Sequence, residues 1–242
     1  MQRIFHTPEG VRDIYSQECS RKQKLQEKLH RVFHQYGFED IETPTFEYFE
    51  VFSKEVGTIP SRELYKFFDR EGNTLVLRPD FTPSVSRACA TYFNPEKEVV
   101  SLCYTGNTFI NNSSFRGRLK ETTQMGVERM GDDSPEADAE ILAMTVECLL
   151  ATGLTEFQVS VGQVDYYKAI FAQTGMSQEE EEELRELISQ KNYFGVEELV
   201  KNKNMDKSLA RVLSQLPQMF GSTEVLEKAK SLTDNPQALK AV

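Results

Sequence analysis

The sequence predicts a fold that combines helices with antiparallel strands, followed by a smaller unit built from helices alone. Two long apolar runs, at 99–109 and 122–130, flank a polar loop as paired antiparallel strands do. Apolar residues recur at helical spacing at 16–36. Near residue 164 the strand patterns stop and only helical patterns follow. We therefore expect a core of residues 1–163 and a small helical insertion unit of residues 164–242.

The first third of the chain predicts a long helix, a short strand and a second helix. The helix at 16–36 is followed by Gly37, in the position just beyond a helix where glycine is favoured. The strand at 39–44 contains Pro44, which has no backbone donor and is therefore expected at a sheet edge or an interface. The second helix is expected at 46–56.

An aromatic hairpin is expected next. Strands at 64–68 and 74–77 flank a turn at 69–73 that is rich in Asp, Gly and Asn. The segment 78–83 contains two prolines and interrupts the sheet, and Thr82 is expected to cap the helix that follows.

The polar loop 111–118 joins the two central strands. Asp133-Ser134-Pro135 predicts the start of a helix over 136–152, with serine as the cap and proline in the first turn. Alternating apolar and polar residues at 156–161 predict one more strand. In the helical unit, helices are expected at 164–174, 178–190, 193–201, 206–214 and 222–232.

Composition places the 242-residue chain among ordinary globular proteins, with 39% hydrophobic and 27% charged residues. The formal net charge is −10, and acidic side chains outnumber basic ones on both sides of residue 163, which argues against a large tRNA-binding surface. No apolar run is long enough to span a membrane and the N-terminus lacks a signal core. We therefore expect a cytoplasmic protein with no membrane partner.

The cysteines and histidines give little sign of a metal site or of disulfides. The cysteines are Cys19, Cys89, Cys103 and Cys148. They form no C-x-x-C pair, which indicates reduced thiols. His30 and His34 lie one helical turn apart, but the sequence offers them no nearby acidic or thiol partner, so we interpret them as part of a solvated helix face. We expect no metal and no other cofactor.

Several segments, taken in order, resemble class II histidyl-tRNA synthetases. They are Pro8-Glu9-Gly10-Val11-Arg12-Asp13, Tyr36-Gly37-Phe38 with Ile41-Glu42-Thr43-Pro44, Leu77-Arg78-Pro79-Asp80-Phe81-Thr82, Gln124-Met125-Gly126-Val127-Glu128, and Ser134-Pro135-Glu136-Ala137-Asp138-Ala139-Glu140. Each segment alone is a weak signal, whereas their order and spacing over residues 6–163 are specific. The resemblance implies an α+β fold of the class II aminoacyl-tRNA synthetase type, an antiparallel sheet flanked by helices. It also implies self-association through the motif 1 region around Pro44.

The same resemblance locates the residues that would activate an amino acid with ATP. In motif 2 of the family an arginine contacts the α-phosphate, and a glutamate two positions later helps hold the adenine. The match without gaps puts Ile110 at the arginine position and Asn112 at the glutamate position. Because losing one such donor typically costs about 3–4 kcal/mol of barrier, we expect an inactive chain with no catalytic residues. Arg116, Arg118 and Lys120 remain candidate anion contacts, and an exposed basic loop without a ligand is an equal alternative.

The histidine pocket implied by the resemblance is better preserved. Its counterparts here are Asp80, Thr82, Gln124 and Glu128. A buried ammonium or imidazole needs carboxylates and neutral acceptors around it, and residues four apart on a strand face the same side. Asp80 replaces a glutamate of the family and Phe81 replaces a glycine, two departures that put the pose of histidine in question. The alternative is that these polar residues serve folding alone.

A synthetase-like chain that keeps this pocket but lacks the ATP arginine resembles the regulatory subunits of ATP phosphoribosyltransferases. The resemblance implies a hetero-oligomer with a short-form catalytic phosphoribosyltransferase, active in the first step of histidine biosynthesis, with histidine as feedback effector. The alternatives are a histidyl-tRNA synthetase fragment that activates histidine and charges tRNA, and a synthetase-like binding domain for another partner. The phosphoribosyltransferase itself is disfavoured, because no acidic pair ends a hydrophobic strand and opens a phosphate loop. The glycine-rich histidine motif and motif 3 of the family do not occur in the 242 residues, so we expect a truncated chain, whose pocket would lack one wall, with a naturally short form as the alternative.

Overall fold

The computed structural model describes residues 5–53, 59–112, 117–203 and 205–242. These residues fall into two compact units, Met1–Gln158 and Val159–Val242. No helix in the described ranges is both long and apolar enough to cross a bilayer. The roles predicted for the two parts of the chain, core and insertion, stay predictions.

In its described residues, the first unit combines four helices with two small sheets. Its helices are α1 (Ser16–Gln35), α2 (Glu50–Ser53), α3 (Thr82–Tyr92) and α4 (Pro135–Thr152), with a 3-10 turn at Ser61–Glu63. Its strands are β1 (Glu39–Asp40), β2 (Phe46–Tyr48), β3 (Lys66–Phe68), β4 (Thr74–Leu77), β5 (Val100–Phe109) and β6 (Glu121–Met130). One sheet has the order β1-β5-β6 and the other β2-β4-β3. Every strand pair is antiparallel except β1 with β5, which is parallel.

The long β5–β6 pair is the centre of this unit, and each of its faces has its own core. Val100 pairs with Met130 and Phe109 with Glu121, so side chains alternate between the two faces over ten residues. The face toward α3 buries Phe81, Val85, Cys89, Val100, Leu102 and Tyr104. The face toward α1 and α4 buries Val32, Phe33, Phe38, Cys103 and Met144. Adjacent residues of β5 therefore serve different cores.

The second sheet corrects one prediction. A helix was expected at 46–56, but Phe46–Tyr48 is a strand that pairs with β4, and α2 begins at Glu50, with Glu50–Ser53 as its described residues. The strand is favoured because Glu47 points inward to an ion pair with Arg87, with 2.8 Å between Oε1 and Nη2, while its two aromatic neighbours point outward. Residues 54–58 lie outside the described residues.

The helix boundaries follow local chemistry. Gly37, with φ at +79°, follows α1 as expected, and Ser134 Oγ accepts from the backbone N–H of Ala137 at the start of α4. The capping role expected of Thr82 is wrong: α3 begins at Thr82, and its hydroxyl bonds elsewhere. The strand expected at 156–161 is also wrong, because the described residues there pair with no other strand.

The described residues of the second unit form helices joined by short segments, without a strand. Its helices are α5 (Val164–Phe171), α6 (Gln178–Ser189), α7 (Tyr193–Asn202), α8 (Lys207–Gln215), α9 (Glu224–Leu232) and α10 (Pro236–Ala241), with a 3-10 turn at Leu216–Gln218. The side chains of Ile170, Leu184, Val196 and Leu213 are completely buried in its core. A capping box between Ser177 and Glu180 begins α6, which explains the acidic run that follows as a helix start.

Candidate functional site

The four predicted pocket residues come from two elements that meet on one face of the β5–β6 sheet. Gln124 and Glu128 lie on β6, four residues apart, and their side chains share the face that packs against α3. Asp80 precedes α3 and Thr82 is its first residue. The predicted placement of the β6 pair on one face is therefore what the structure has.

Two side-chain hydrogen bonds cross this face, one between Thr82 and Glu128 and one from Gln124 to Tyr104. The Thr82 hydroxyl donates to Glu128 Oε1 at 2.6 Å. Gln124 Nε2 donates to the Tyr104 hydroxyl at 3.3 Å. The Asp80 carboxylate accepts from the backbone N–H of the following residue at 2.7 Å, which fixes it at the edge of the group. We call Asp80, Thr82, Gln124 and Glu128, with Tyr104, the pocket cluster.

The pocket cluster contains two carboxyl groups, those of Asp80 and Glu128, and no basic side chain. Burial is the main cause that raises the pKa of Glu128; the charge of Asp80 adds to it, while the hydrogen bond from Thr82 acts against it. The pKa of Tyr104 is also raised, first by burial and then by the same two carboxylates. Within the described residues neither carboxylate forms an ion pair. A bound cationic group would therefore relieve an unfavourable charge here.

Phe81, which replaces a glycine of the resembled family, packs beneath the cluster. Its ring is only 1% exposed and stacks on Tyr104 with 4.3 Å between centroids and 10° between planes. The guanidinium carbon of Arg78 lies 4.1 Å from the centroid of the Phe81 ring. Gly106 makes room for both, since a Cβ there would lie 2.6 Å from Arg78 Nη2 and 2.7 Å from Phe81 Cζ. The phenylalanine is therefore part of the core.

Arg78 is a buried residue beside the pocket cluster to which the sequence analysis gave no role. Its guanidinium donates to the carbonyls of Thr43 at 2.7 Å, Pro44 at 3.2 Å and Asn107 at 2.9 Å. Burial lowers its pKa, and the charge of Glu47 partly opposes this. Arg78 therefore ties the chain around Pro44 to β5. An arginine that directly ends an apolar strand and precedes proline was the available signal.

The ATP-binding residues would lie at the end of the β5–β6 pair where the loop joins the two strands. There, residues on the two sides of the loop hydrogen-bond to each other. The backbone N–H of Ile110 donates to the carbonyl of Lys120 at 2.9 Å, which closes the loop just past β5. Asn112 Nδ2 donates to the carbonyl of Leu119 at 3.4 Å, and its Oδ1 is buried with no hydrogen-bond partner in the part of the chain that the structure describes. The side chain at position 110 is a hydrocarbon and offers nothing to a phosphate.

The three candidate anion contacts differ in their surroundings. Arg116 lies outside the described residues, and Arg118 is exposed. Lys120 is half-buried: its backbone N–H donates to the carbonyl of Gly10 at 2.7 Å, and its methylenes pack so closely that a Cβ on Gly10 would lie 2.6 Å from Cγ. An anion contact by these residues stays a prediction.

The opposite face of β5 carries a second group of polar side chains. They are His30, His34, Asp40 and Cys103, named here the α1–β5 cluster, and their nearest ligand atoms all lie within 4.8 Å of one another. The premise that the histidines have no acidic or thiol partner was wrong. The sequence does not show this proximity because residue 103 is distant along the chain.

Comparisons with known proteins agree on one family. The family described as histidyl-tRNA synthetase matches residues 10–242. An ATP phosphoribosyltransferase regulatory subunit from Acetivibrio thermocellus is 40% identical over 98% of this chain and 57% of its own length. The protein of the same name from Ruminiclostridium cellulolyticum is 39% identical, with the same shares covered.

A solved structure from Bacillus halodurans, described as an ATP phosphoribosyltransferase regulatory subunit/histidyl-tRNA synthetase, superposes with a TM-score of 0.87 at 31% identity. The match covers 99% of this chain and 62% of the solved one. The chain thus spans less than two thirds of the length of these relatives. The class II synthetase-like α+β fold predicted from the sequence is confirmed.

Proposed function

The chain belongs to the histidyl-tRNA synthetase family, and from that premise we propose that it senses histidine without activating it. It would act as a non-catalytic regulatory subunit of an ATP phosphoribosyltransferase, in the first step of histidine biosynthesis. Two of its relatives carry that name at 39–40% identity.

The observation that carries this proposal is the contrast between Ile110 and the pocket cluster. Amino-acid activation puts growing negative charge on the α-phosphate, and a bidentate arginine is the side chain suited to it. Position 110 has no such group, and its neighbour Asn112 bonds to the loop backbone. The chain would keep the side chains that bind histidine but lack the arginine that activates it, as expected of a histidine sensor.

The pocket cluster suits the charges of histidine. The α-ammonium group and a protonated or hydrogen-bonding imidazole would meet the carboxylates of Asp80 and Glu128, with Gln124 and Thr82 as neutral partners. For feedback, histidine would have to bind one conformation of the complex better than another, with a typical coupling of about 1–3 kcal/mol.

The partner would be a short-form catalytic phosphoribosyltransferase, and the complex would work in the cytoplasm. All four cysteines are free, as is usual for a reducing compartment. The acidic balance of the chain disfavours tRNA as a main partner.

Calorimetric titration of histidine into the chain, alone and with the catalytic phosphoribosyltransferase, tests the proposal. We expect saturable binding that Asp80→Ala weakens and that changes when the partner is present. Histidine binding unaffected by Asp80→Ala would refute the pocket. Histidine-dependent ATP–pyrophosphate exchange by the chain would refute the inactive role and favour a synthetase fragment.

Self-association around Pro44 is supported by an apolar face of the second sheet. Phe46 and Tyr48 on β2 are 50% and 54% exposed, and Phe67 on β3 packs edge-on against Phe46 with 5.7 Å between centroids. Apolar side chains grouped this way usually mark an interface.

Sedimentation velocity on Phe46→Asp measures this association. We expect the variant to shift toward monomer relative to the unmodified chain, because a charge in an apolar interface is not compensated. Phe194→Asp, at a phenylalanine of the helical unit that is 80% exposed, is the control and should leave the association unchanged. Equal behaviour of Phe46→Asp and the unmodified chain would count against this interface.

A further inference from the structure

The α1–β5 cluster is assembled by two regular geometries. His30 and His34 lie one turn apart on α1, so both rings point to the same side of the helix, with 5.1 Å between their centroids. Asp40 and Cys103 are directly paired in the parallel β1–β5 ladder. Backbone hydrogen bonds therefore hold all four positions.

Asp40 is the common partner of the other three side chains. Its carboxylate lies 3.0 Å from His34 Nε2, 3.3 Å from His30 Nδ1 and 3.3 Å from Cys103 Sγ. Burial raises the pKa of Asp40, but the hydrogen bond from Cys103 and the contacts with the histidines outweigh it and keep that pKa below its ordinary value. The carboxylate is therefore charged at neutral pH.

We propose that the α1–β5 cluster is a binding site for a divalent transition metal, for which zinc is the best fit. Two imidazoles, a carboxylate and a thiol are the side chains that zinc takes in proteins, commonly four at a time in a tetrahedron. Bonds of about 2.0–2.3 Å would place the donor atoms about 3.3–3.8 Å apart. Atoms that already lie within 4.8 Å reach this by small side-chain rotations.

The site has an open side through which the metal enters. The side chains of His34 and Asp40 are 48% and 57% exposed, while Cys103 is completely buried and forms the base. Binding would transfer the Cys103 proton to solvent, because only the thiolate is a ligand. Without metal, burial and the adjacent Asp40 carboxylate raise the pKa of this thiol to about 12.

A nearby unsatisfied hydroxyl supports a ligand at this place. Thr105 is two residues beyond Cys103 on β5 and lines the hollow that His30 and His34 border. Its Oγ1 is buried and has no hydrogen-bond partner among the described residues. It could bond to a water on the metal or to the thiolate, the kind of outer contact that orients metal ligands. Glu27 and Arg31 line the same hollow with opposite charges.

Titration with Co²⁺, followed by competition with Zn²⁺, tests the site. Tetrahedral cobalt absorbs visible light, and a cobalt–thiolate bond adds a charge-transfer band in the near ultraviolet. We expect equimolar binding with that band in the unmodified chain. Cys103→Ser should lose the band, while Cys19→Ser, the matched cysteine control, should keep it.

His34→Asn guards against a folding artefact, because the side chain is half exposed and its replacement should leave the core intact. We expect it to weaken metal binding by at least roughly tenfold. His6→Asn, at the histidine outside the cluster, should bind as the unmodified chain does. Metal affinity unchanged by His34→Asn, no equimolar binding, or a complex without the thiolate band would each overturn the assignment.

Discussion

The pocket cluster in the middle of the β5–β6 pair and the loop at one end of the pair differ in where their side chains find partners. At the pocket cluster, hydrogen bonds join side chains from β5, β6 and α3, while the carboxylates of Asp80 and Glu128 keep capacity for a cation. At the loop end, Ile110 and Asn112 bond to the backbone of the same loop. Under the proposed function, histidine recognition and ATP chemistry depend on different parts of the same two strands, so the residues for one can change without those for the other.

Arg78 packs against Phe81 beneath the pocket cluster, and its loss should have the largest effect on stability. Arg78→Met removes donors from three carbonyls, two of them beside Pro44. We expect a destabilisation of about 3 kcal/mol, measured by urea unfolding, because buried acceptors would lose their partners. Arg70→Met, at an exposed arginine of the β3–β4 turn, is the control and should change stability little. Equal stabilities of the two variants would show that this anchor is dispensable.

Glu128→Gln should separate the effect of the pocket cluster on histidine binding from its effect on folding. The amide still accepts from the Thr82 hydroxyl but removes the charge that would face an ammonium group. We expect histidine affinity to fall by roughly 10–100-fold, which corresponds to about 1.5–3 kcal/mol for a bond to a charged group. Isothermal titration measures it, with Glu156→Gln on the exposed surface as the matched control. A variant that binds as tightly as the unmodified chain would mean that Glu128 does not contact histidine.

The pH dependence of stability should show that ionisation of the buried Glu128 carboxyl group destabilises the ligand-free protein. Because burial raises its folded-state pKa, this group's contribution to stability is full below the ordinary value of 4.5 and is lost as pH rises through the raised value. Glu128→Gln removes that loss, so the variant should gain stability relative to the unmodified chain as pH rises toward neutral. Urea unfolding across this range checks it, and a difference that shrinks with rising pH would contradict the charge imbalance.

Ile110→Arg should have the smallest effect and tests the loop end. Restoring one guanidinium leaves Asn112 and the loop contacts unchanged. We therefore expect no measurable ATP–pyrophosphate exchange with histidine in either the unmodified chain or the variant, since groups that act as a unit are strongly non-additive. Exchange that appears in the variant would show that one side chain alone separates this protein from an enzyme.

The predictions that succeeded rest on short-range regularity. The period of two along β6 puts Gln124 and Glu128 on one face, and Ser134 with Pro135 marks the start of α4. Each depends on residues close together in the chain, where geometry is fixed by the backbone.

The predictions that failed depend on distant partners. Phe46–Tyr48 is a strand because β4 supplies hydrogen bonds and Arg87 supplies a charge for Glu47, neither of which a local pattern reveals. His30 and His34 were interpreted as a solvated face because Cys103 reaches them only after β1 pairs with β5, and because Asp40, six residues after His34, was not considered as a partner. Short-range patterns predict elements, whereas the environment of a side chain needs the tertiary pairing.

We expect the two-residue ladder between β1 and β5 to form late relative to local contacts during folding. Its side-chain contact between Asp40 and Cys103 joins positions 63 residues apart, so the closing loop is long. A chain that emerges N-terminus first exposes the apolar face of α1, including Val32 and Phe33, until β5 has left the ribosome. We therefore expect substitutions that weaken this ladder to slow refolding more than those within the helical unit, whose contacts are closer along the chain.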